Sequence, residues 1–140
     1  MIEAAGPAGR LRAAPGLMRR LRTLACLNAP REICGLLYLV DEAGGACVLK
    51  ARCLPNRSRD PVLGFRMRRE EIDRVVRDWR GDTRPFLLGY FHSHGFGGPR
   101  PSKHDLATVR RLGGWHMILT AGAAVAYRAD GARLITQPID

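Results

Sequence analysis

Lysine is nearly missing from this 140-residue chain: Lys50 and Lys103 are the only two among 23 basic residues. The other basic residues are arginines, and with 13 acidic residues the formal charge is +10. Aromatics are scarce as well, at 6%. That scarcity leaves no stacking platform for single-stranded nucleic acid. The arginines are also dispersed, in groups at Arg19, Arg20 and Arg22, at Arg66, Arg68 and Arg69, and at Arg110 and Arg111. No finger, basic arm or heptad accompanies them, which argues against nucleic acid as the main partner. A basic surface that steers an acidic partner fits the composition better. No apolar run approaches the roughly twenty residues of a membrane span, so no membrane association is expected. The first fifteen residues mix Gly, Pro, Ala and Arg without the apolar core of a signal peptide. A cytoplasmic protein is therefore expected. Short paired cysteine spacings are absent too: Cys26, Cys34, Cys47 and Cys53 do not form a structural zinc pattern. They read as packing residues.

What is present suffices for one domain. A hydrophobic fraction of 46% fills a core for a chain of this length without disulfides or a metal to hold it. Residues 1–14, punctuated by Gly6, Pro7 and Gly9, read as a flexible lead-in, and 15–140 as the domain. Leu17, Leu21, Leu24 and Leu27 recur at helical spacing, with Met18 and Ala25 widening the stripe, until Pro30 bars continuation. Ile33–Val40 and Ala46–Leu54 read as a hairpin around a turn at Glu42–Gly45. Phe65 and Met67 suggest a short strand. A helix follows over about Arg69–Trp79, with Ile72, Val75, Val76 and Trp79 on one face. Phe86–His94 is the most strand-like central segment, then a short helix spans Ser102–Leu112. Strands at Trp115–Thr120, Ala123–Arg128 and Arg133–Gln137 close the chain, with Asp130-Gly131 turning between the last two. The expected fold class is α/β, a central mixed β-sheet flanked by helices.

The chemistry concentrates in Gly89-Tyr90-Phe91-His92-Ser93-His94, followed seven residues later by Ser102 and then by Asp105. Residues two apart on a strand share a face, so the imidazoles of His92 and His94 point together and Ser93 points away. Asp105 sits in the first turn of the next helix, within reach of the same point. Two neutral imidazoles and a carboxylate make a catalytic metal set with a position open to water. Ser102-x-x-Asp105 also reads as a capping box, and the two roles are compatible. A hydrolytic centre needs a base. Glu32, at the mouth of the first strand, is the best placed candidate, although a charged strand end explains it too.

This pattern resembles the JAMM, or MPN-plus, metallopeptidase family in its small prokaryotic JAB-domain form. The family's distant glutamate, His-x-His, seven residues, Ser, two residues and Asp correspond here to Glu32, His92-Ser93-His94, Ser102 and Asp105. Pro30–Leu37, Pro101-Ser102 and the loop containing Asn56 and Pro61 are similar as well, and the resemblance spans about 15–137. It implies an MPN/JAB-type fold in which His92, His94 and Asp105 bind Zn2+. Glu32 would deprotonate a water and pass the proton to the leaving amine, and Ser102 would hydrogen-bond the oxyanion. His104 and His116 lie outside the pattern and read as a helix-surface and a strand histidine. Many relatives carry proline after the second histidine where this chain has Gly95, which predicts a more mobile loop.

The resemblance further implies a partner and a reaction: hydrolysis of the peptide or isopeptide bond after the glycine tail of a ubiquitin-like or sulfur-carrier protein. Deconjugation of a bacterial ubiquitin-like modifier is an alternative. A non-catalytic MPN scaffold is another, although scaffold relatives usually lack a ligand or the glutamate. Zinc base deamination would require a P-C-x-x-C signature, which does not occur. Nothing in the sequence fixes the oligomeric state.

Overall fold

The computed structural model describes residues 12–41, 47–79, 85–95 and 97–139. The elements run β1 (Arg12–Ala13), α1 (Leu17–Asn28), β2 (Cys34–Asp41), β3 (Cys47–Leu54), α2 (Arg69–Asp78), β4 (Phe86–Ser93), α3 (Lys103–Leu112), β5 (Trp115–Leu119), β6 (Ala124–Asp130) and β7 (Arg133–Pro138). The strands form one mixed sheet in the order β1-β3-β2-β4-β5-β6-β7. β2 is antiparallel to both β3 and β4, whereas β4 and β5 run parallel. Parallel neighbours require a crossover, and the loop after β4 together with α3 supplies it. The expected α/β architecture with a mixed sheet is thus found.

Alternation along β4 and β5 divides the sheet into two faces. Phe91, Met117 and Leu119 point to one of them, where Leu17, Met18 and Leu21 of α1 complete an apolar core with Leu37 and Leu49. The other face carries His92, paired laterally with Cys34 and Ile118, and His116, paired with Tyr90. α2 and α3 cover this side: Ile72, Val76, Tyr90 and Thr108 line a common cavity, and Tyr38 meets Trp79 at 5.1 Å between ring centroids. Gly89 is demanded by the central pairing, because a Cβ there would lie 1.8 Å from the carbonyl oxygen of Trp115.

Several expectations are corrected. Arg12–Ala13, within the segment read as lead-in, pair in parallel with Val48–Leu49, and residues 1–11 lie outside the described residues. So does the hairpin turn at 42–45. Phe65 and Met67 form no strand. The apolar stripe of α1 is buried only over its first turns, and Leu27 is 76% exposed. Cys34 is buried, but Cys26 and Cys53 are exposed rather than packed. Among the described residues no helix is long and apolar enough to cross a membrane.

Candidate metal centre

β4 ends in the site. His92 is its penultimate residue and is fully buried, while His94 follows just past the strand and is half-buried. The intervening Ser93 points away, as strand alternation requires, and makes a reciprocal pair with Ile33. Its Oγ accepts from the Ile33 N–H at 2.9 Å, and its own N–H donates to the Ile33 carbonyl at 2.9 Å. That pair places the residue before Ile33, Glu32, beside the histidines.

α3 supplies the third group. Ser102 is its N-cap, and its Oγ accepts from the Asp105 N–H at 3.1 Å. In return the Ser102 N–H donates to Asp105 Oδ2 at 2.9 Å, completing the capping box. The same carboxylate faces the histidines, with Oδ1 3.2 Å from His92 Nε2 and Oδ2 2.9 Å from His94 Nε2. Cap and cluster member are therefore one residue. The two Nε2 atoms lie 3.1 Å apart. One ligand atom from each of His92, His94 and Asp105 falls within 4.8 Å of the others.

Glu32 is buried at 7% exposure, with Oε1 4.0 Å from His92 Nε2. Its main chain is clamped from outside the sheet: its N–H donates to the Pro61 carbonyl at 2.7 Å, and its carbonyl accepts from Asn56 Nδ2 at 2.9 Å. Asn56 also donates to the Gly64 carbonyl and accepts from the N–H groups of Ser58 and Arg66. These four bonds pin the 56–66 loop and Glu32. On the other flank Gly95 passes so close to Pro30 that a Cβ would lie 2.6 Å from the Pro30 carbonyl oxygen. The glycine in place of proline therefore serves a close approach, not only mobility. The loop beyond it is tethered, with His94 Nδ1 2.9 Å from the Gly98 carbonyl and the Tyr127 hydroxyl donating to Pro99 at 2.7 Å.

The electrostatics follow from this packing. Burial pushes the Glu32 carboxyl up to about 7, moderated by His94 and reinforced by Asp105. Burial also penalises the Asp105 charge, but hydrogen bonds from both histidines outweigh it and hold that carboxyl below the usual range. Burial lowers His92, whereas the bond to Asp105 raises His94.

These residues fit a metal ion. Glu32 Oε1 is buried without a hydrogen-bond partner, a costly state for a carboxylate unless something polar shares the space. With Nδ1 of His94 turned to the Gly98 carbonyl, Nε2 is left to face the cluster, the usual second-sphere arrangement of a metal-binding histidine. Two imidazoles and one carboxylate suit a borderline divalent cation.

The profile of prokaryotic homologs of the JAB domain matches residues 14–130. The chain belongs to this family. Comparison with curated proteins gives no match. Among solved structures, this JAB domain is similar to the solution structure of a Desulfitobacterium hafniense protein, at 21% identity and a TM-score of 0.75 over 91% of this chain and 90% of that one. A JAB1/MPN domain protein of Archaeoglobus fulgidus matches at 21% identity and 0.56, over 84% and 89%. A third structure, described as JAMM, a metalloprotease-like zinc site in the proteasome and signalosome, matches at 17% and 0.52, over 94% and 95%. These likenesses support the JAB/MPN fold.

Two residues of the centre escape sequence reasoning. His116 is not an ordinary strand histidine: it is buried, and its Nε2 lies 2.7 Å from His92 Nδ1. Burial, then the neighbouring His92, pushes it down to about 3, so it is neutral. Phe65 stacks on the His92 ring at 4.3 Å and 19°. Neither carries a local signal, since both arrive through tertiary packing. His104 is exposed on α3, as expected.

Proposed function

We propose that this JAB domain is a zinc-dependent peptidase that hydrolyses the peptide or isopeptide bond after the C-terminal glycine tail of a ubiquitin-like or sulfur-carrier protein. The observation that carries this reading is Glu32: a buried carboxylate with an unpartnered oxygen, held at the edge of a His-His-Asp cluster. His92, His94 and Asp105 would hold the ion. Zinc at that place would supply Lewis acidity towards the scissile carbonyl and acidify a water. Glu32, raised to about 7, is matched to taking a proton from water and returning it to the leaving amine near neutrality. The Ser102 hydroxyl accepts from Asp105 N–H, which leaves its own proton to donate to the oxyanion.

The charge distribution supports an acidic protein partner. A cavity of about 510 Å³ is lined by Arg59, Arg66, Arg68, Arg69 and Arg111, and it shares Phe65 with the metal centre. Glu70 is the one acidic residue in that lining, and among the described residues the only arginine–carboxylate ion pair is Arg57–Glu71, so positive charge outweighs negative around this cavity.

The test is cleavage of ubiquitin-like proteins extended beyond their terminal Gly-Gly, read by intact mass with and without a zinc chelator. Chelator-sensitive cutting after the second glycine is expected. Glu32→Gln should retain zinc and lose turnover by about 10²-fold or more, and His92→Ala should lose zinc. Full activity in Glu32→Gln would refute the mechanism.

A further inference from the structure

His92 is restrained on two sides. Phe65 covers the face of its ring, and His116 meets its edge at 2.7 Å. The edge contact follows from register: β4 and β5 run parallel with Tyr90 opposite His116 and His92 opposite Ile118. His92 and His116 therefore stand one step apart on the same buried face. The groups that meet His116 from neighbouring elements are aromatic, with Phe65 at 5.3 Å and Tyr90 at 6.4 Å between ring centroids. Its remaining nitrogen, Nδ1, is buried without a hydrogen-bond partner.

The tautomers can be worked out from the cluster. His92 Nε2 faces His94 Nε2 and Asp105 Oδ1 at 3.1 and 3.2 Å. A ligating Nε2 must present its lone pair there, so the single proton of neutral His92 sits on Nδ1. That proton points at His116 Nε2, which must accept. His116 in turn keeps its proton on Nδ1.

We propose that His116 is a positioning residue for the metal centre: by accepting the Nδ1–H of His92 it fixes the tautomer and ring angle that aim Nε2 at the ion. In many metal sites a carboxylate or a main-chain carbonyl plays this part. A neutral imidazole does it here without bringing a third buried carboxylate beside Asp105 and Glu32. This inference rests on the metal-binding part of the reading above, but not on the substrate.

The test uses the full chain with His116→Leu, which keeps bulk and removes the acceptor, and His116→Gln, which restores an acceptor. Zinc affinity is measured by competition with a chelating indicator, and thermal unfolding of the metal-free proteins checks their folding. His116→Leu should bind zinc about 10–100-fold more weakly, and His116→Gln should recover most of that loss. Nitrogen-15 NMR of the unsubstituted zinc-loaded protein should show both His92 and His116 protonated at Nδ1, with the His92 proton hydrogen-bonded. That measurement decides the matter if the leucine variant fails to fold. Unchanged affinity in folded His116→Leu, or a His116 proton on Nε2, would overturn the inference while leaving the metal centre standing. An unsubstituted protein that takes up no zinc would overturn both.

Discussion

Phe91 and His92 are consecutive on β4 and equally buried, yet they lie on opposite faces of the sheet. Phe91 joins the apolar core beneath α1. His92 joins Asp105, His116 and Glu32 on the face covered by α2 and α3. Met117 and His116 repeat the contrast on β5. One face stabilises the fold through apolar area removed from water. The other face holds ionisable groups out of water, which costs stability. His92, His94, Asp105 and His116 offset part of that cost by bonding to one another, while Glu32 Oε1 and His116 Nδ1 are left without partners. Burial alone therefore does not distinguish a core residue from a site residue on these strands: the buried histidines all lie on one face, although apolar Ile118 shares it.

The sharpest way to break this contrast is to truncate the two neighbours. Phe91→Ala should cost about 3–5 kcal/mol in denaturant unfolding. His92→Ala should cost about 1–2 kcal/mol, because a polar-lined gap admits water, and zinc uptake should disappear. Equal destabilisation by the two substitutions would erase the distinction between the faces.

A second measurement sharpens it through pH. The Glu32 carboxyl is raised from 4.5 to about 7 by burial. Below the unfolded value both states are protonated and the group carries no penalty. As pH rises towards 7 the unfolded chain releases the proton while the folded one retains it, and that stability is lost. Metal-free Glu32→Gln should therefore gain on the parent protein between pH 4.5 and 7, by roughly 3 kcal/mol at most. Unfolding curves at pH 5 and pH 8 check this, and a pH-independent difference would contradict it.

The smallest effect on the metal centre concerns the outer clamp. Asn56→Ala removes the bonds that hold the Glu32 carbonyl and the 56–66 loop, and should cost about 2 kcal/mol. Zinc affinity should stay within a few-fold, because none of its ligands is touched, while turnover falls about tenfold. Loss of zinc along with turnover would show that the clamp supports the whole cluster rather than Glu32.

Local pattern reaches a definite distance into this molecule. His92 and His94 share a face because strand geometry has a period of two, and Ser102 with Asp105 marks a helix start by spacing alone. Both are legible in the sequence. His116 and Phe65 are not: each joins His92 only through β4–β5 register or through a loop folding over the sheet, and neither leaves a periodic trace. Leu27 shows the opposite failure, since its helical spacing is regular but among the described residues its turn of α1 reaches past those that would cover it. Glu32 stands between these cases. Its residue type and place before β2 suggest a role, whereas its clamp, its Ser93-laced neighbour and its orphaned oxygen required the fold.

The capping box at the start of α3 has a consequence for the order of assembly. Asp105 is aimed by the Ser102 main chain and by the first turn of the helix, so its carboxylate is oriented as soon as α3 forms. The conformational entropy of arranging this ligand is lost during folding, before any ion arrives. Metal loading of this domain would then be a change of charge at a carboxylate already oriented by its helix, unlike small zinc modules whose ligands become ordered only around the ion.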